Sequence, residues 1–442
     1  MGDSTVKLNM NLKSTLIAFA LLFISGCVPF TPRNTFTVDQ PDMTATDSPV
    51  AAQPTLIIPS VDPSPDTART GEENQLKFDD QSGISMLPEL FSSDCKQITF
   101  TETLDALPGD LVVFDHESKE PFIWDFGESP DSLEKISNSS STEIRPLAWD
   151  LSPTHDWLSY ENVKRIDDFT LNVYNPRTDR ILQTAIQDYS MAGYPSSYWS
   201  DADHYLVPLS RKKENFRWMV WQPFKDEQSI FELELPDIGD APDQYSIFPQ
   251  YLPNSKIVIY PCNQCGTNEF QAYDLESNKV KWTLDFGEGR ETGLHWSFIP
   301  SPDGKKTVFY FGLNKLWIVD TNGESLLKIS LPFSESYNWV VRAIRWSPDG
   351  KKLAFMRYTP DGSDPILTII SIHEHQQTSY CSNLGVGNIH WSFNGQYIVH
   401  SIQEQNDDGE VTSSIFSVVQ LNTGNTYQKR FPENLSVIGW LK

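Results

Sequence analysis

The chain has 442 residues, 39% of them hydrophobic and 12% aromatic, and carries a formal charge of −25 at pH 7. That is ample apolar and aromatic material for a large core. So acidic a chain repels phosphate backbones and anionic headgroups, which excludes nucleic acid as a partner. Length alone suggests more than one average domain, but closed repeat β folds run long as single units.

The N-terminus reads as an address. Lys7 and Lys13 precede an apolar run from Leu16 to Ile24, and Ser25-Gly26-Cys27 follows. A basic start, a short apolar stretch and small residues at the exit make a secretory signal. The run is about half the length of a membrane-spanning helix. A cysteine directly after Ile-Ser-Gly resembles a lipobox, so residues 1–26 read as a lipoprotein signal peptide. Cys27 is then the first mature residue, carrying diacylglycerol and a further acyl chain such as palmitate, and it anchors the protein to the lipid bilayer. The alternative is an ordinary signal in which Cys27 is incidental. Residues 27–90 read as a disordered linker rich in Pro, Thr and Ser, with eight prolines between residues 28 and 75 and no sustained apolar period. The predicted location is extracytoplasmic and membrane-anchored, at the cell surface or in a periplasm.

Residues 91–442 are dominated by a repeat. In its clearest unit a strand ends at Trp346, Ser-Pro348-Asp349-Gly350 turns the chain, and a second strand runs from Lys352 to Tyr358. Pro348 presets the turn, Asp349 bonds the local backbone and Gly350 accepts a positive φ. Ile366 to Ile372 and Gln377 to Cys381 supply two more strands, which completes a four-stranded unit. The turn recurs at Pro302-Asp303-Gly304 and, with Asn for Asp, between Trp391 and Gly395. Weaker copies begin at Tyr251, Trp199 and Leu151, and the weakest at Ala106. Anchors recurring every 40-odd to 50-odd residues with four strands per period predict an all-β propeller. Seven blades is the count, with six or eight as alternatives. The chain ends Ser436-Val-Ile-Gly-Trp440-Leu-Lys442, which matches the first strand of a blade with no turn after it. The economical closure pairs this C-terminal strand beside Leu111 to Phe114; in the competing arrangement Gln97 to Phe100 supplies that strand.

Trp-Ser-Pro-Asp-Gly-Lys-Lys-Leu-Ala-Phe at 346–355 resembles the TolB-type, WD-repeat-like propeller motif. Clear copies cover residues 300–400 and degraded ones roughly 100–442. The resemblance implies the fold and says little about function, since such families include periplasmic scaffold proteins and the propeller caps of prolyl-peptidase-like enzymes.

Chemistry is harder to find. No Gly-x-Ser-x-Gly elbow, His-Glu-x-x-His or phosphate-cradling glycine pattern occurs. No catalytic residue, metal site or cofactor is assigned, and the chain is expected not to be an enzyme. His373-Glu-His375 would share a strand face, but a polar hairpin accounts for it. Asn406-Asp-Asp-Gly-Glu410, Asp201 and Asp203 read as turns, Trp346 and Trp391 as packing between blades, and Trp218, Trp221 and Trp339 as freer surface contacts. Beyond Cys27, Cys95, Cys262, Cys265 and Cys381 form an even set in an oxidising compartment. Cys262 with Cys265 and Cys95 with Cys381 is one of three possible pairings. The preferred function is a non-catalytic binding or scaffold module for a protein, peptide or glycan of unknown identity. The rival is a glycan- or peptide-acting enzyme, a hydrolase or lyase, with its site at the central opening. Ionisable side chains clustered on the axis favour the enzyme; a plain polar tunnel favours the scaffold.

Overall fold

The computed structural model describes residues 75–76 and 95–442, apart from 103–106, 126–131, 137–148, 166–167, 187–197, 213–214, 236–248, 263–268, 286–295, 312–314, 331–332, 335–336, 339, 359–364, 382–387 and 407. Cys27 and the signal segment lie outside these residues. The described residues form seven sheets, each built on four antiparallel strands and three of them edged by a short parallel strand, with one added hairpin, Phe333–Ser334 with Tyr337–Asn338. Blades 2 to 7 begin with the strands Asp150–Leu151, Tyr198–Trp199, Gln250–Tyr251, Trp296–Pro300, Val340–Trp346 and Ile389–Trp391. Blade 1 consists of Asp110–Asp115, Glu120–Trp124 and Glu134–Lys135, and its first strand is Leu435–Leu441. First strands of neighbouring blades touch from blade 6 through blades 7 and 1 to blade 2, so they line the inside of the ring.

Packing shows why the units must come as a closed set. The buried apolar residues fall into seven clusters, and each joins two neighbouring blades. Val308, Leu316 and Ile318 of blade 5 meet Leu353, Phe355 and Ile370 of blade 6, for example. One sheet has two apolar faces and cannot bury both without neighbours.

The repeated turn is built as its residues dictate. Ser347 N donates to Lys352 O at 2.8 Å, and the same bond recurs at Ser301, Ser392, Leu252 and Ser152, shortened by one residue at Ser200. The Ser347 hydroxyl donates to Asp349 Oδ1 at 2.7 Å and accepts from Lys352 N at 2.9 Å, while Asp349 Oδ1 accepts from Lys351 N at 3.1 Å. Gly350, Gly304 and Gly395 all have φ between 64° and 67°. Gly304 is also sterically obligatory: a Cβ there would stand 1.6 Å from the Pro253 carbonyl oxygen of the neighbouring blade.

The ring closes through the C-terminal strand. Trp440 pairs with Leu111, Val437 with Val113 and Ser436 with Phe114, antiparallel. Lys96–Gln97 and Thr99–Phe100 do not supply that strand. They run parallel along the last strands of blades 6 and 7, so this segment crosses the outer rim before entering blade 1. Cys95 is disulfide-bonded to Cys381 at the end of the last strand of blade 6, with Cα atoms 5.1 Å apart. Within the stretch read as linker, Gln75–Leu76 lies parallel to the last strand of blade 4, Gln75 opposite Thr283. Cys262 ends the strand Ile257–Cys262; its side chain and Cys265 lie outside the described residues.

Candidate functional site

The repeat defines a ring of seven equivalent positions. The residue just before each blade's anchor is Gly439, Asp150, Tyr198, Gln250, Ile299, Arg345 or His390, in blade order. Successive strand residues face opposite ways. The anchors Trp440, Trp199, Trp346 and Trp391 are buried between blades. Their predecessors face away: Arg345 is exposed, and Asp150, Gln250, Ile299 and His390 are half-buried.

The anchors also fix the backbone of these positions. Trp346 Nε1 donates to Ile299 O at 2.9 Å, Trp391 Nε1 to Arg345 O at 3.2 Å, and Trp440 Nε1 to His390 O at 3.3 Å. Each indole thus ties its own blade to the ring residue of the preceding one. Blade 3 does the same by relay: Trp199 Nε1 donates to Ser159 Oγ at 3.3 Å, and Ser159 Oγ to Asp150 O at 3.2 Å. Buried indole N–H groups need an acceptor, so packing and positioning come from one residue.

Asp150, Arg345 and His390 are ionisable ring residues, and Arg345 is coupled to each of the other two. Asp150 in blade 2 and Arg345 in blade 6 act on each other electrostatically although blades 7 and 1 stand between them, and both lie on the first strands that line the inside of the ring. Arg345 in turn acts on His390 in blade 7. Burial pushes the Asp150 carboxyl up from 3.8 to about 6; the Leu151 N–H, 2.9 Å from Asp150 Oδ1, and the Arg345 charge oppose that rise. Burial, helped by the Arg345 charge, pushes the His390 imidazole down from 6.5 to about 3, so it stays neutral. Burial also lowers the Arg345 guanidinium, which remains charged. Arg345 Nη1 donates to its neighbour Ile344 O at 2.9 Å, and among the described residues no carboxylate lies within 4.0 Å of the guanidinium.

The strand presenting Arg345 is deformed to do so. Its register against Lys352–Tyr358 slips between Arg342 and Arg345, and Ala343 sits at φ 53°. A bulge re-aims the side chains that follow it, and a left-handed alanine costs about 1 kcal/mol.

Most residues singled out from the sequence serve the fold. Trp346, Pro348, Asp349, Gly350, Pro302, Asp303, Gly304, Trp391, Gly395 and Trp440 build turns, blade interfaces and closure. His373 and His375 do not share a strand face: both are exposed turn residues, because the preceding strand ends at Ser371. Asn406 Oδ1 accepts from Asp408 N and Glu410 N, a turn. Asp201 Oδ1 caps its own turn and bonds His204 Nδ1 at 2.8 Å. These two line a cleft of about 720 Å³ with Tyr251, Lys256 and Lys281, where acidic and basic groups are mixed. Trp218 and Trp221 are not surface contacts; both are buried in blade 3, whose strand Asn215–Gln222 is covered on both faces. The ionisable ring was not singled out, because its members differ in chemistry and only the repeat period relates them.

No family model matches the chain, and no curated protein matches it. Among solved structures it is similar to TolB from Acinetobacter baumannii, at 15% identity and TM-score 0.38 over 75% of this chain and 67% of that one. A periplasmic gluconolactonase from Pseudomonas aeruginosa gives 13% and 0.47 over 75% and 97%. An oligogalacturonate lyase from Vibrio parahaemolyticus gives 10% and 0.47 over 72% and 84%. The similarity concerns the propeller fold, in agreement with the resemblance read from the motif. Two of these three proteins are enzymes. The expectation that the chain is not an enzyme is therefore corrected: proteins with this propeller fold include enzymes, so the fold does not exclude catalysis.

Proposed function

We propose that the chain is an extracytoplasmic, lipid-anchored β-propeller that recognises a protein, peptide or glycan at the ring of side chains around its axis. The observation that supports this most is the electrostatic coupling of Arg345 in blade 6 both to His390 in blade 7 and to Asp150 in blade 2. Packing alone would place apolar residues there, whereas convergent charged groups on rigid strands suit recognition. The anchor rests on Ile24-Ser-Gly-Cys27, and the Cys95–Cys381 disulfide fits an oxidising compartment. A second reading draws on the same set: a carboxyl raised toward neutrality and a neutral imidazole, both coupled to Arg345, can move protons in a reaction.

The test is an array of peptides and oligosaccharides probed with the wild type, with an Arg345→Gln/Asp150→Asn double variant, and with Lys256→Gln in the side cleft. Ligands held by the wild type should be lost by the axial variant and kept by Lys256→Gln. The reverse pattern would move the site off the axis. Mass spectrometry of the bound compounds reads turnover in the same experiment.

A further inference from the structure

We propose that the axial ring takes an organic carboxylate, held by the Arg345 guanidinium and bridged to the Asp150 carboxyl across the axis. This inference rests on the axial reading above and names its ligand chemistry. Arg345 is the one cation among the described ring positions, it is exposed, and among the described residues no carboxylate stands within 4.0 Å of it. Asp150, on the first strand of blade 2, is acted on by the Arg345 charge but forms no ion pair with it, so the pair is open to a third group. A guanidinium offers a planar fork of donors that matches a carboxylate. A dianionic phosphate would call for several cations, and this position has one, facing a carboxylate, in a protein of charge −25.

The facing carboxyl determines how the ligand is held. An ionised Asp150 repels an incoming carboxylate, and a protonated one donates a hydrogen bond to it. Binding is therefore coupled to uptake of one proton, which Asp150 takes from solvent; no other bond is made or broken. Arg345 on blade 6 is the charged side chain acting on Asp150. His390 on blade 7, facing Arg345, stays neutral from pH 6 to 8 and does not contribute to the pH dependence. Leu435–Leu441, the strand between blades 7 and 2, carries no titratable side chain. Because Asp150 titrates at about 6, full coupling weakens carboxylate binding by about fifty-fold from pH 6 to pH 8.

The experiment is saturation-transfer NMR on the full folded propeller at pH 6 and pH 8. The probes are N-acetylglycine against its amide and glucuronate against glucose. At least one acid should bind in preference to its neutral counterpart, and whichever pair responds identifies the carrier of the carboxylate. The wild type should lose affinity toward pH 8, Asp150→Asn should bind with little pH dependence, and Arg345→Gln should bind at least about tenfold more weakly at both pH values. Equal binding of acid and neutral probe, an undiminished Arg345→Gln, or the same pH profile in Asp150→Asn would overturn the proposal. Failure of every acid here, with neutral array ligands still lost on axial substitution, would reject the carboxylate and leave axial recognition standing.

Discussion

Removing the closing strand should cost more than its position at the chain end suggests. Leu435, Val437, Trp440 and Leu441 are all buried. At about 1.5–3 kcal/mol per buried side chain they contribute roughly 6–12 kcal/mol, before the ladder to Asp110–Asp115 is counted. Whole domains are stable by about 5–15 kcal/mol. Deletion of residues 435–442 should therefore leave no cooperatively folded propeller. Trp440→Ala is the graded version: it creates a cavity and removes the indole bond to His390 O, for about 3–5 kcal/mol. With a urea slope of about 3 kcal/mol/M, the unfolding midpoint should fall by roughly 1 M or more. Removing Lys442 alone takes away one exposed residue and its N–H bond to His155 O, and should cost about 1 kcal/mol or less. Equal urea midpoints for the wild type and the 435–442 deletion would refute closure through this strand.

Three other outcomes follow from the same geometry. Gly304→Ala should destabilise by several kcal/mol, since its Cβ meets the Pro253 carbonyl; Gly395→Ala, with nothing within 4 Å, should cost only about 1 kcal/mol for its positive φ, and equal losses would contradict this. Asp150→Asn should stabilise the protein above pH 6 by up to about 3 kcal/mol: a carboxyl raised in the folded state destabilises above its folded value, progressively less down to 3.8, and not below, so melts at pH 8 and pH 3.5 should diverge only at the higher pH. Intact-mass measurement of detergent-extracted protein should find an acylated chain starting at Cys27, and Cys27→Ser should leave the membrane fraction or stay uncleaved; an unmodified mature chain starting elsewhere would remove the anchor.

The fold was legible where the turn chemistry is complete. Blades 5, 6 and 7 keep the Gly turn, and the closing strand could be read from the unpartnered copy ending at Trp440. Blades 2 and 4 were fainter because His155 and Asn254 accept the positive φ that Gly takes elsewhere. The outer-rim course of Lys96–Gln97 and Thr99–Phe100 was not legible, since a two-residue parallel pairing has no sequence period. Burial of Trp218 and Trp221 is not legible from the repeat, because both depart from its pattern while blade 3 uses them to fill its two interfaces. The axial site was written in the sequence one residue before each anchor. It could be read only after the anchors were placed in one ring, because Asp150, Arg345 and His390 are far apart in the chain and share no local motif.

Axial recognition is tested most directly by the indole N–H resonances of the ring. Trp391 and Trp440 donate to the carbonyls of Arg345 and His390, whereas Trp282 donates to Thr321 away from the first strands. On titration with an array ligand, the Trp391 and Trp440 indole signals should shift and saturate while Trp282 stays in place. Movement of Trp282 with Trp391 and Trp440 unchanged would place the ligand elsewhere and contradict a functional site on the axis.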